Sequence, residues 1–211
     1  FNGERGEVWR LNVESTKEIS RFCKDKKKSI IFLSTECVFD GNKEYFSEKA
    51  RKNPLNWYGV TKSEAEKVII KSGAKSTILR SVVTYHKNDK GKTIYGKILK
   101  SLKRNEVVYA VDDQKFTPTH TEDIVLALKK ILSANLLGIY HVAPSKSISP
   151  YDFARIVAKA NSFPLSRIKK KKLVKFYDKT RAEIRLKNAS LSSKSSNKKL
   201  GFISKNPEEV L

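Results

Sequence analysis

Apolar residues follow two alternating periods along the chain. A short run, Ile30-Ile31-Phe32-Leu33, is β-branched and aromatic and ends in two hydroxyls, Ser34-Thr35. It predicts a buried strand over 29–34, placed centrally in a sheet. Ahead of it, Val8, Leu11, Val13, Ile19 and Phe22 predict a helix over 4–23, although their spacing is irregular. After it, Asp40-Gly41 and Asn53-Pro54 punctuate a loop. Ala65, Val68 and Ile69 then mark a helix over 58–71. Further runs predict strands over 76–83, 107–110 and 138–143, and helices over 93–102 and 123–132. Ser149-Pro150-Tyr151-Asp152 carries the N-cap, first-turn Pro and third-position acid of a helix start. Residues 169–176 read as an edge strand guarded by lysines. This order predicts an α/β fold: a partial Rossmann-like parallel sheet with helices on both faces, plus a small C-terminal lobe. The boundary is expected after residue 143, so that 1–143 form the sheet part, with a substrate loop over 86–118, and 144–211 form a substrate-binding lobe.

Two hydrophilic residues sit on this frame in a chemically telling way. Tyr58 and Lys62 are four apart at the start of a predicted helix, so they share a face. A hydroxyl at a strand end and a Tyr/Lys pair on the next helix suit protonation of a carbonyl oxygen while hydride reaches its carbon. An ammonium beside the phenol favours the phenolate and is expected to bring its pKa down from ~10. The pair alone is weak: about one Tyr-x-x-x-Lys match is expected by chance in so lysine-rich a chain. The second match, Tyr45 and Lys49, lies among turn residues without helical context.

The surrounding residues carry more. Ser34-Thr35-Glu36-Cys37-Val38-Phe39-Asp40-Gly41, then Asn53-Pro54-Leu55-Asn56-Trp57-Tyr58-Gly59-Val60-Thr61-Lys62, resemble the extended short-chain dehydrogenase/reductase family, and within it the dTDP-4-dehydrorhamnose reductase group. Leu79-Arg80-Ser81, Asp112-Asp113-Gln114, Thr117-Pro118-Thr119, Gly138-Ile139-Tyr140-His141 and the segment from Arg185 to Leu191 follow in the family's order. The resemblance implies an NADP- or NAD-dependent oxidoreductase that reduces a 4-keto group on a nucleotide-linked deoxysugar. In that role Tyr58 donates the proton, Lys62 lowers its pKa and holds the nicotinamide ribose, and Thr35 hydrogen-bonds the carbonyl oxygen. Ser34 and Val82 are expected beside the cofactor. Glu36, Val83, Gln114, Thr119 and Arg185 are expected toward the substrate, with Arg185 clamping a diphosphate. Thr119 with Glu122 also fits a capping box, and Arg80 fits a salt bridge under the sheet as well as it fits catalysis.

The chain departs from the family's pattern at several points. Glu36 stands for Asp, Cys37 for Tyr, Val83 for Trp and Leu186 for Pro. The glycine-rich turn that cradles a dinucleotide pyrophosphate is absent from these 211 residues and is expected outside this chain. Two alternatives therefore stay open: another sugar-nucleotide epimerase or dehydratase, and a non-catalytic relative of the methionine adenosyltransferase regulatory-subunit type.

Composition changes the picture at its edges. The net charge of +22 can serve nucleic acid. However, the lysines are scattered, and their denser runs lack interleaved aromatics in sequence, so nucleic acid is not the expected partner. A nucleotide sugar is, and a homodimer is allowed. No apolar run of 18 residues exists, and the first residues do not read as a signal peptide. Two cysteines without metal spacing suggest free thiols in a reducing, cytoplasmic setting and no metal site.

Overall fold

The computed structural model describes residues 5–89 and 91–211. Glu4, the expected first residue of the opening helix, and Lys90, in the expected substrate loop, lie outside them. The chain opens with α1 (Arg5–Trp9), a π-helical turn at Arg10–Glu14 and α2 (Ser15–Asp25). This explains the irregular apolar spacing. A π turn adds a residue, so the buried Val8 and Val13 stand five apart instead of three or four.

Next come β1 (Ile30–Thr35), α3 (Trp57–Ser72), β2 (Ser76–Ser81), β3 (Thr84–Tyr85), α4 (Ile94–Lys103) and β4 (Val108–Val111). They are followed by β5 (Lys115–Phe116), β6 (Thr119–His120), α5 (Thr121–Ser133), β7 (Gly138–Val142) and α6 (Pro150–Ala160). Ser149 caps α6 and closes the expected box with Asp152. The last elements are β8 (Ile168–Lys171), α7 (Leu173–Phe176), α8 (Lys179–Glu183), β9 (Asn188–Ala189), α9 (Lys194–Leu200) and α10 (Pro207–Val210). The expected strand over 169–176 is thus half strand, half helix. Leu173 turns into the core, and Asp113 accepts its backbone N–H at 2.8 Å, starting α7.

The main sheet is parallel, in the order β1-β2-β7. Leu33 pairs with Leu79, and Leu79 with Tyr140. Because side chains alternate across a strand, Leu79, Tyr140 and Val142 face α5 and α9, where they pack with Ala127, Ile131 and Leu200. Ser34, Arg80 and His141 face the opposite side, where α3 lies. The sheet therefore carries helices on both faces. Among the described residues β1 pairs with β2 alone, and β2 has a strand on each side.

Three short parallel ladders, β3–β6, β4–β8 and β5–β9, build the rest. A second core, with Tyr85, Tyr95, Ile98, Phe116, Phe153 and Val157, packs α4 and α6 against β4 and β8. Among the described residues no helix is long and apolar enough to cross a membrane.

Candidate functional site

The carboxyl end of β1 delivers Ser34 and Thr35, and the chain then enters a tight turn, Glu36–Val38. Thr35 caps that turn by accepting the Cys37 N–H on its hydroxyl at 3.2 Å. The same hydroxyl donates to Glu36 Oε2 at 2.7 Å. Asn56 caps α3, its side-chain oxygen accepting the Gly59 N–H at 2.8 Å. The Asn53-Pro54 break thus leads into a defined helix start, one residue before Tyr58. Gly59 lies directly against the Cys37 carbonyl, where a Cβ has no room. That close approach holds the α3 start against the Glu36–Val38 turn.

Tyr58 is near enough to this turn to feel its charges. Burial pushes the phenol up to about 12, and the neighbouring Cys37 and Glu36 add to the rise. This is opposite to the lowering expected from Lys62. The Lys62 ammonium instead donates to the Leu33 carbonyl at 2.6 Å and lies 3.8 Å from the centroid of the Phe32 ring. Burial lowers its pKa to about 8, with the Glu66 charge opposing the fall. Burial also raises Glu36 against the pull of its hydrogen bonds. Burial and the Glu36 charge push Cys37 up to about 12, which keeps it a thiol at neutral pH.

A cavity of about 860 Å³ runs outward from Glu36, Cys37 and Asn56. Val83 and Gln114 line it, and Gln114 Nε2 donates to the Leu186 carbonyl at 2.7 Å. Its wall also carries Lys92, Lys97 and Arg185 together with Tyr109, Phe176 and Tyr177. The Arg185 guanidinium carbon lies over the Tyr177 ring, 3.8 Å from its centroid. One part of the wall is thus carboxylate, thiol and amide, and another is cationic and aromatic.

The structure sets Lys62 on the Leu33 carbonyl and Tyr58 beside the turn that follows Thr35, and brings Glu36, Val83, Gln114 and Arg185 to one cavity. Three expected site residues are placed elsewhere. Thr119 is wholly buried: its hydroxyl accepts the Val82 N–H and donates to the Val142 carbonyl at 3.0 Å. It does not cap α5 either, since His120 stands at the N-cap. Val82 packs in the second core. Ser34 turns under the sheet and donates to Glu66 at 2.6 Å. Sequence reasoning missed Asn56, Lys97 and Tyr177. For Asn56 a signal existed, an N-cap type just ahead of the helix. Lys97 and Tyr177 reach the cavity only through tertiary packing. Among the described residues no cluster of three or more His, Cys, Asp or Glu side chains can hold a metal ion.

Comparison with known proteins fits this geometry. The family described as the RmlD substrate binding domain matches residues 3–211. The dTDP-4-dehydrorhamnose reductase of Sinorhizobium fredii is 30% identical over 159 residues, 72% of this chain and 53% of that protein. Methionine adenosyltransferase 2 subunit beta of Bos taurus is 28% identical over 177 residues, 75% of this chain and 50% of that protein. The chain thus spans about half the length of the curated relatives it matches. Among solved structures, dTDP-4-dehydrorhamnose reductase of Bacillus anthracis in complex with NADP superposes with a TM-score of 0.88 at 22% identity, covering 97% of this chain and 71% of that one. The sequence motifs, the parallel sheet with its strand-end Thr/Tyr/Lys group and a match along nearly the whole length agree: the chain belongs to the RmlD substrate-binding domain family.

Proposed function

We propose that this chain forms the catalytic face and substrate cavity of an NAD(P)H-dependent reductase acting on a 4-keto, nucleotide-linked deoxysugar. The observation that carries this reading is one juxtaposition. Lys62 donates to the Leu33 carbonyl, two residues before Thr35, and Tyr58 lies beside Glu36 and Cys37 just after it, at the carboxyl end of β1, the kind of position where open α/β sheets bind ligands. The adjoining cavity also carries Arg185, Lys97 and Tyr177, groups suited to a diphosphate and a planar base.

The residues present fit the reactive end of a nicotinamide cofactor. Lys62 holds its ammonium at the Leu33 carbonyl, where it can also donate to ribose hydroxyls. The glycine turn for the pyrophosphate is not among these residues, so the chain accounts for the reactive end and not for the phosphate grip. When bound, the cofactor supplies hydride. The phenol of Tyr58, protonated throughout the neutral range, supplies the proton to the carbonyl oxygen. The Lys62 ammonium stabilises the charge left on Tyr58. Thr35 has first to release Glu36 if it is to hydrogen-bond the substrate oxygen.

The test is Tyr58→Phe in the full-length protein, assayed by NAD(P)H consumption with a dTDP-4-keto-6-deoxy sugar. Turnover should fall by roughly 10²–10⁴, the usual worth of a placed general acid. Unchanged turnover would sink the assignment.

The Thr35–Glu36 bond also favours a second reading, a non-catalytic regulatory subunit, because it engages the hydroxyl that catalysis needs. The similarity to methionine adenosyltransferase 2 subunit beta supports it. Co-purification with a methionine adenosyltransferase catalytic subunit, without NAD(P)H consumption on any sugar nucleotide, decides for that reading.

A further inference from the structure

A buried ionic network lies behind the Tyr58–Lys62 face of α3 and takes no part in the chemistry above. Glu66 stands one helical turn past Lys62 and is 0% exposed. Its carboxylate accepts Arg80 Nε at 2.8 Å and Nη2 at 2.7 Å, the Lys52 ammonium at 3.0 Å and the Ser34 hydroxyl at 2.6 Å. Arg80 is 1% exposed, and its Nη1 meets His141 Nε2 at 3.3 Å. Burial, then the Arg80 charge, lowers His141 to about 4, so the ring is neutral. Its Nδ1–H donates to the Ser192 carbonyl at 3.0 Å. Every carboxylate oxygen and every ring nitrogen in the set is satisfied.

Stability alone is a poor reason for this arrangement. Desolvating two ions largely cancels their attraction, and apolar side chains of similar size often do as well. Its geometry offers a better one. Lys62 is bonded to the carbonyl of Leu33, and Glu66 to the hydroxyl of Ser34. Two consecutive residues of β1 are therefore tied to two consecutive turns of α3. Arg80 adds the same tie to β2. Thr35 is the next residue on β1, and Tyr58 the preceding turn of α3.

We propose that Glu66 is a positioning residue: through Ser34 and Arg80 it locks α3 in register with the ends of β1 and β2, and so sets where Tyr58 and Lys62 stand relative to Thr35. The catalytic consequence rests on the reductase reading; the lock itself does not. The groups facing Lys62 are Glu66 on its own helix and, from β1, the Phe32 ring and the Leu33 carbonyl. Those facing Glu66 are Arg80 from β2, Lys52 from the loop before α3 and Ser34 from β1.

Two variants of the full-length protein test this. In Glu66→Gln, lysine-labelled NMR should show the Lys62 ammonium titrating below its wild-type value near 8, because the opposing negative charge is gone. If the reductase reading holds, kcat falls by roughly 10–100-fold, the cost of a small misplacement, while KM for the nucleotide sugar stays within about twofold. The alkaline limb of the rate profile also moves to lower pH. Ser34→Ala keeps the Glu66–Arg80 pair and therefore folds. In it the Tyr58 and Lys62 resonances should shift. Unmoved Tyr58 and Lys62 resonances in Ser34→Ala, or an unmoved Tyr58 resonance in folded Glu66→Gln, overturn the lock. A wild-type protein that consumes no NAD(P)H overturns the reductase reading instead, and the NMR arm still decides about Glu66.

Discussion

Glu36 shows how one methylene changes a site. The longer carboxylate folds back onto Thr35, accepts a hydrogen bond from its hydroxyl at 2.7 Å and is buried in doing so. Burial raises its pKa above the ordinary carboxylate range. A carboxyl with a raised folded-state pKa binds more protons folded than unfolded, so stability falls as pH rises through that interval. Glu36 is thus neutral in an acidic window and an unfavourable buried anion above it. Glu36→Gln keeps the size and an accepting oxygen and removes the charge. The variant should melt above wild type at pH 8 and level with it near pH 4, by about 2–4 °C for each kcal/mol relieved. Parallel thermal scans at the two pH values check this; a gap of equal size at both removes the ionisation argument. The same scans on Asp89 provide a contrast. Its four hydrogen bonds from Thr93, Lys92 and Gly96 outweigh desolvation and hold it at about 2, so its ionisation does not vary over that range.

Elements were legible where a single period governed them and less so where tertiary contacts decide. The helix with Tyr58 was expected over 58–71 and runs Trp57–Ser72, because its Asn cap and its Gly73 stop are local signals. The strand with Ser34 and Thr35 and the capping box at Ser149 were legible for the same reason. The helix Arg5–Trp9 and its continuation were visible only as a flawed pattern, since a π turn leaves no composition signal. In the candidate site, Thr35, Tyr58 and Lys62 stand out from the sequence because they lie on consecutive elements. Thr119 was misread because its hydroxyl belongs to Val82 and Val142, far away in sequence. Gly59 seemed an ordinary spacer within the motif, yet it is the point where α3 touches the Glu36–Val38 turn. A methyl there meets the Cys37 carbonyl group and the Pro54 side chain, 3.0 Å away, and backbone does not yield as a flexible side chain does. Gly59→Ala should therefore cost about 1–3 kcal/mol by overpacking, despite alanine's better helix propensity. It should also shift the Tyr58 resonance. A denaturant midpoint equal to or above wild type contradicts the close approach.

At the scale of the whole molecule two opposing features meet. The net charge is +22, which repels copies of the chain from one another. Against this, among the described residues β1 has one strand neighbour, β2, and an unpaired outer edge. Leu33 on that strand is 53% exposed, and Leu11, Ile19 and Phe22 form an apolar stripe on the opening helix at 63%, 53% and 60%. An open strand edge with apolar side chains beside it is a template for pairing. Which feature wins depends on salt, because screening acts on the charge and not on the apolar surface. The Debye length falls from about 30 Å at 0.01 M to about 3 Å at 1 M. The 211-residue chain should therefore sediment as a monomer in low salt and associate as salt is raised, the reverse of an assembly held by ion pairs. Leu33→Lys places a charge on the open edge strand, a device that blunts such edges, and should suppress the association at every salt concentration. Sedimentation velocity across a salt series decides the matter. Association that weakens with salt assigns it to charge; association that survives Leu33→Lys unchanged moves it to a surface other than the β1 edge.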